Sequence, residues 1–174
     1  MARATTPEQD LLERGVLARL NGVDAGYRTA TVLFGIEFEA RAGEVALITG
    51  PAAAGKTTFM HLLRLALQVR SGRCVILGID VGKASARARA NVKKRIGYVA
   101  ENPTFIEHWT AFDNIAMPLR LAGQKPREYT DDVRELVEFV GLTDAADLTV
   151  EKLSGAERHR AAIARALAAK PALI

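Results

Sequence analysis

Residues Gly50 to Thr58 read Gly-Pro-Ala-Ala-Ala-Gly-Lys-Thr-Thr. They fit the pattern G-x-x-x-x-G-K-[ST], in which backbone N–H groups wrap a polyphosphate, the lysine reaches its outer phosphates and the hydroxyl ligates Mg²⁺. Lys56 and Thr57 take the last two roles. The helix that follows would add free N–H groups and its positive dipole end. The flanks agree with this reading. Val45-Ala46-Leu47-Ile48 is an apolar run suited to a buried parallel strand. Phe59, Met60, Leu62, Leu63, Leu65 and Leu67 are apolar at helical spacing. Phe59, Leu62 and Leu63 read as core packing.

Other classes are less compatible with the sequence. The 174 residues amount to about one domain, and 49% hydrophobic content is enough to build a core. No apolar run approaches the ~20 residues of a membrane span, and no apolar leader is visible near the start. Cys74 is the single cysteine, so no internal disulfide is possible, as suits the cytosol. His61, His108 and His159 share no metal-ligand spacing. The net charge of +4 permits anionic partners without demanding them. Arg87, Arg89, Lys93, Lys94 and Arg95 form a basic cluster without interleaved aromatics, so nucleic acid is not expected. The cluster reads as a solvated face, with acidic lipid headgroups as the alternative.

Along the chain, residues 1–15 read as a polar lead-in. Val16 to Leu20 and Thr31 to Glu39 alternate like strands, with a turn at Ala42-Gly43. Arg73 to Leu77 reads as a strand preceded by a turn at Ser71-Gly72. A helix is expected over Lys83 to Arg95 and a strand over Ile96 to Val99. Phe112 to Leu121 is a helical pattern that Pro118 should kink or end. Thr130 or Asp131 could cap the next helix, with Val133, Leu136, Val137 and Val140 as its stripe and Gly141 as its stop. A strong helix former runs from Glu157 to Ala169 and stops before Pro171.

A second phosphate-type motif lies at Leu153-Ser154-Gly155-Ala156-Glu157. A serine hydroxyl and glycine N–H groups at a helix start can clamp a phosphate. The same residues have capping-box spacing, and both readings can hold together. With the loop upstream, the chain resembles the nucleotide-binding domain of ATP-binding cassette (ABC) ATPases, whose signature is LSGGQ or LSGGE. Further matches are Tyr27 to the aromatic that stacks on adenine and Arg95 to Glu101 to the strand entering the Q-loop. Thr110 to Leu119 resembles the family's TVxENVxxPL segment, and Pro171 to Ile174 the start of the Walker B strand. Within the family the resemblance is to the cell-division ATPase of FtsE type. It rests on Gly-Lys-Thr-Thr, Lys94-Arg95-Ile96-Gly97 and Met117-Pro118-Leu119-Arg120.

The resemblance implies an α/β P-loop NTPase fold of ABC type. It has a central sheet with flanking helices, an N-terminal antiparallel β part and a helical subdomain at about 102–160, all within residues 16–174. It implies ATP and Mg²⁺ as ligands, with Gly50, Pro51, Ala52, Ala53, Ala54, Gly55, Lys56, Thr57, Thr58 and Tyr27 on ATP. Thr57 and Glu101 would face the metal, Lys56 and Glu101 would serve catalysis, and Leu153 to Glu157 would act on the ATP of a second copy. The implied partners are a second ATPase domain and an integral membrane subunit, FtsX-like or a transporter permease. The implied location is the cytoplasmic face of the inner membrane. Phe105, Ile106, Trp109 and Phe112 are candidates either to receive that subunit or for internal packing.

Four residues depart from the family. Ala52 and Ala53 replace the loop's Ser and Gly, which is harmless if the backbone avoids positive φ. Glu101 replaces the Q-loop Gln, adding charge and losing a donor. Ala156 replaces the second signature Gly. The chain also ends at Ile174, before the family's Walker B Asp, water-activating Glu and switch His. It therefore reads as truncated at the Walker B strand, with an unpaired sheet edge, and is expected to bind nucleotide weakly without hydrolysing it.

Overall fold

The computed structural model describes residues 6–174, and the first five residues of the lead-in lie outside it. The chain divides into two compact units, one ending at Lys93 and the other spanning Lys94–Ile174.

The first unit opens with a helix, α1 (Pro7–Glu13), where the sequence reading placed only a polar lead-in. Thr6 caps it, Pro7 sits in its first turn, and Gln9 returns a hydrogen bond to the Thr6 N–H at 2.9 Å. Four strands follow: β1 (Val16–Tyr27), β2 (Ala30–Arg41), β3 (Gln68–Ile76) and β4 (Ile79–Asp80). They form one antiparallel sheet in the order β2-β1-β3-β4. Alternate β1 residues Val16, Ala18 and Leu20 are buried, as a half-buried strand requires. Ser71-Gly72 is not a turn but lies inside β3. Gly72 has φ +77°, at a register irregularity opposite β1, and a Cβ there would lie 2.2 Å from the Gly22 carbonyl oxygen. Glycine serves the close approach of two strands here.

Helix α2 (Lys56–Leu63) buries Phe59 and Leu62, and Phe38 meets Phe59 edge-on at 5.1 Å. It stops earlier than the leucine spacing suggested, because Leu65 takes a left-handed φ of +60°. Val45 to Ile48 do not form a strand. Val45 is 98% and Leu47 85% exposed, and no described strand pairs with the segment. An apolar run becomes a strand only where a neighbouring backbone takes its hydrogen bonds. Cys74 is fully buried, and burial pushes its thiol up to about 12, so it is unreactive. Helix α3 (Ala86–Lys93) buries only Val92 and leaves Arg87, Arg89 and Lys93 exposed.

The second unit packs α4 (Ala111–Leu121), α5 (Pro126–Phe139) and α6 (Gly155–Ala168) around Ile115, Val133, Val137, Leu142 and Val150. Ala161, Ala164 and Ala168 form the small buried face of α6. Pro118 does not end α4, which runs on to Leu121. Neither Thr130 nor Asp131 caps α5. The helix begins at Pro126, and the Glu128 carboxylate accepts from the Lys125 N–H at 2.6 Å. Val133 and Val137 are buried in its stripe, and Gly141 closes it at φ +67°. Phe105 and Phe112 pack against this core, which favours their internal role.

The expected strand Ile96 to Val99 is reduced to one parallel bridge, Ile96 to Leu173. The Gly97 N–H donates to Leu173 O and the Ala172 N–H to Arg95 O, both at 2.8 Å.

Candidate functional site

Two of the predicted groups lie wholly within the first unit. The loop Gly50–Gly55 links the exposed segment to α2. Gly55, at φ +87°, is the N-cap of α2, and no side chain caps that end. This differs from α1, α4 and α6, which Thr6, Thr110 and Ser154 cap. The first N–H groups of α2 have no intrahelical acceptor. They therefore remain available to an anion, with the helix dipole in their favour. Lys56 folds back over the loop, and its Nζ donates to the Gly50 and Pro51 carbonyls, each at 2.8 Å. These bonds hold the ammonium beside the helix start. Thr57 is exposed, whereas Thr58 is buried.

The alanine condition stated above is met at Ala52 and fails at Ala53, whose φ is +63°. A left-handed alanine costs about 1–2 kcal/mol that a glycine avoids. Ala53→Gly is therefore expected to stabilise the formed loop and tighten nucleotide binding by about threefold or more. Calorimetric titration of the two proteins with ATP checks this.

Tyr27 ends β1, close to α2, and its hydroxyl hydrogen-bonds His61 Nδ1 at 3.2 Å.

The remaining predicted residues lie in the second unit. Leu153 is buried, Ser154 is the N-cap of α6, and Gly155 and Ala156 are exposed in the first turn. The capping box is complete. Glu157 N–H donates to Ser154 Oγ at 3.3 Å, and Ser154 N–H donates to the Glu157 carboxylate at 2.8 Å. Hydrogen bonds from the Ser154 hydroxyl and N–H hold the Glu157 carboxyl below its ordinary value of 4.5. The cap's contribution is therefore full above pH ~4.5 and lost as pH falls through the lowered pKa. Glutamine keeps the accepting oxygen but does not titrate. Glu157→Gln should flatten the acid limb of the chain's stability, read by denaturant unfolding at stepped pH.

Glu101 lies in a bend with its side chain exposed. Its carbonyl accepts from His159 Nε2 at 2.9 Å, while His159 Nδ1 lies 3.0 Å from Gly155 O. Both ring nitrogens face carbonyl acceptors, which favours the imidazolium. The bonds to Gly155 and Glu101 accordingly raise the His159 pKa. Two further α6 residues hold the same segment. Arg158 forks onto the Glu107 carboxylate at 2.9 and 2.5 Å, and Arg165 donates to Thr104 O at 2.8 Å beneath Phe105. Arg158 thereby holds the Glu107 carboxyl below its usual range. The sequence reading missed these arginines, since nothing local in the chain marks such partners.

Residues 33–174 match the family described as ABC transporter. The chain belongs to that family, as an ATP-binding domain. The ABC domain is 33% identical, over 91% of its length, to the lipoprotein-releasing system ATP-binding protein LolD of Bacteroides thetaiotaomicron, covering 73% of that protein. It is 36% identical, over 86% of its length, to the methionine import ATP-binding protein MetN 1 of Rhodococcus jostii, covering 44% of it. A dimeric post-hydrolysis state of the ATP-binding cassette MJ0796 bound to ADP and Pi matches with a TM-score of 0.79 at 24% identity. That match covers 88% of this chain and 70% of the other. The fold is thus the α/β fold of ABC ATPases.

No cluster of three or more His, Cys, Asp or Glu side chains able to hold a metal occurs among the described residues. Mg²⁺ bound through phosphates draws on only one or two protein oxygens. The exposed Thr57 hydroxyl on the first turn of α2 fits such a role. No described helix is long and apolar enough to cross a membrane.

Proposed function

We propose that the chain is the ATP-binding part of a subunit that powers a membrane complex. The observation that carries this is the uncapped start of α2, with Lys56 held at the loop carbonyls by two 2.8 Å bonds. Gly50 to Thr58 bind the phosphates, Lys56 neutralises their charge, and Tyr27 stacks on the base. Thr57 is the proposed Mg²⁺ ligand of the first unit, and Glu101 is assigned to the metal from its match to the Q-loop position alone. When bound, Mg²⁺ offsets charge on the outer phosphates.

The signature residues Leu153 to Glu157 act on ATP held by a second copy, and the closed pair is the mechanical state. Gly155 supports this part. It is exposed, its φ is not left-handed, and a Cβ there would meet nothing within 4 Å. The fold of one chain does not demand glycine at this position, whereas close approach of a nucleotide does. Gly155→Ala should stabilise the isolated chain by about 0.4–1 kcal/mol, because alanine fits this backbone and leaves the unfolded chain less conformational freedom to lose. It should at the same time weaken ATP-dependent self-association. Thermal unfolding and sedimentation with Mg-ATP measure the two effects. Association unchanged by Gly155→Ala, or no ATP-dependent association at all, would contradict the trans role.

The partner is an integral membrane subunit, at the cytoplasmic face of the membrane. LolD and MetN 1 are named for lipoprotein release and methionine import, which favours a transporter permease. The division-type reading, with an FtsX-like partner, rests on the short strings Gly55 to Thr58, Lys94 to Gly97 and Met117 to Arg120. A second reading, a nucleotide-dependent module with little turnover, is favoured by left-handed Ala53 and by Glu101 at the Q-loop position.

A further inference from the structure

Tyr27 is fixed from several sides within the first unit. The preceding residue, Gly26, has no free space: a Cβ would lie 2.1 Å from Ala30 O across the hairpin. The Tyr27 carbonyl accepts from Arg70 Nη2 at 2.5 Å. These contacts fix the backbone, but a tyrosine ring can still swing about its own side-chain torsions. His61 removes that freedom. Its Nδ1 bonds the phenol hydroxyl at 3.2 Å, and the two rings stand at 84° with centroids 6.5 Å apart. This contact engages the hydroxyl edge of the phenol rather than its flat face. Tyr27 remains 47% exposed. His61 also belongs to α2, the helix that begins at Lys56. One short rigid element therefore carries both the phosphate-facing lysine and the group that orients the aromatic ring.

We propose that His61 is a positioning residue for nucleotide recognition: it holds the Tyr27 ring at a fixed orientation to the Lys56 loop, so that base and phosphates are met together. The proposal rests on the reading that Tyr27 stacks on the base. A rotating ring must be immobilised when the base binds, at an entropic cost to affinity, whereas a ring already held avoids that cost. The effect falls on ligands that contain a base. Inorganic triphosphate, which reaches only the loop, should not sense it.

The test uses this chain and a fluorescent ATP analogue, displaced in parallel by ATP and by inorganic triphosphate. Tyr27→Ala should weaken ATP by about tenfold, the scale of one lost base-stacking contact, and leave triphosphate unchanged. His61→Ala and Tyr27→Phe should each weaken ATP by about threefold, the scale of one exposed hydrogen bond. The double variant should lose no more than either alone, because both remove the same contact. His61→Asn, whose amide can occupy the Nδ1 position, should recover most of the affinity. If Tyr27→Ala weakens ATP and His61→Ala does not, the proposal fails while the stacking reading stands. Equal loss for ATP and triphosphate in His61→Ala also overturns it, since His61 would then act through the loop. If Tyr27→Ala spares ATP, the stacking reading falls, and the role of His61 with it.

Discussion

Replacing Lys56 with alanine is expected to weaken ATP binding by at least about tenfold. The ammonium donates to the Gly50 and Pro51 carbonyls at 2.8 Å, so it already stands inside the curve of the loop. A phosphate entering there would exchange neutral carbonyl acceptors for charged oxygens. Such charge-assisted bonds are worth about 1.5–3 kcal/mol, which corresponds to roughly tenfold to a hundredfold in affinity. Alanine offers no donor, and it also removes two internal bonds that shape the empty loop. Lys56→Arg should recover only part of the loss, because the planar fork does not match a single point of contact. Calorimetry with Mg-ATP measures both variants, and an unchanged affinity in Lys56→Ala would remove the loop from the site.

Asn114→Ala is expected to cost about 2–4 kcal/mol of stability, the range of a buried polar network broken on one side. Asn114 is fully buried on α4. Its Oδ1 accepts from Ile106 N–H at 2.9 Å, and its Nδ2 donates to Ile106 O and Thr110 O at 3.0 Å. One amide thus ties the turn before α4 to the helix, with every bond to backbone. Alanine leaves those groups without their partner and opens a small void. The unfolding midpoint should fall by roughly 10–30 °C for a unit of this size. A shift of only about one degree would show that water or rearrangement replaces the asparagine.

Local signals in the sequence were informative where the chain supplies its own partner. Ser154 and Glu157 three residues apart predicted the cap of α6, and Gly141 predicted the stop of α5. The same capping grammar stands at Thr6-Pro7-Glu8-Gln9, but α1 buries no residue, so no apolar stripe accompanies its cap. At α5 several residues could have served as the cap, and Pro126 with Glu128 won over Thr130 and Asp131. Ser71-Gly72 read as a turn because glycine carries no mark that separates a turn from a strand crossing close to another backbone. The short apolar run at Val45 could not reveal whether a partner strand lies beside it. In the candidate site, the loop and signature were legible as motifs. The contacts Tyr27 to His61, Arg158 to Glu107 and His159 to Glu101 were not, since each joins residues far apart in the chain.

The central claim is that Gly50 to Thr58 hold the phosphates of ATP. Backbone amide resonances of the ¹⁵N-labelled chain, followed during titration with Mg-ATP, test it most directly. The account predicts the largest shifts at Gly50 to Thr58, saturating at one nucleotide per chain. Inorganic triphosphate should reproduce them, and Lys56→Ala should greatly weaken them. Shifts centred elsewhere, or a loop indifferent to saturating ATP in the unsubstituted chain, would contradict it.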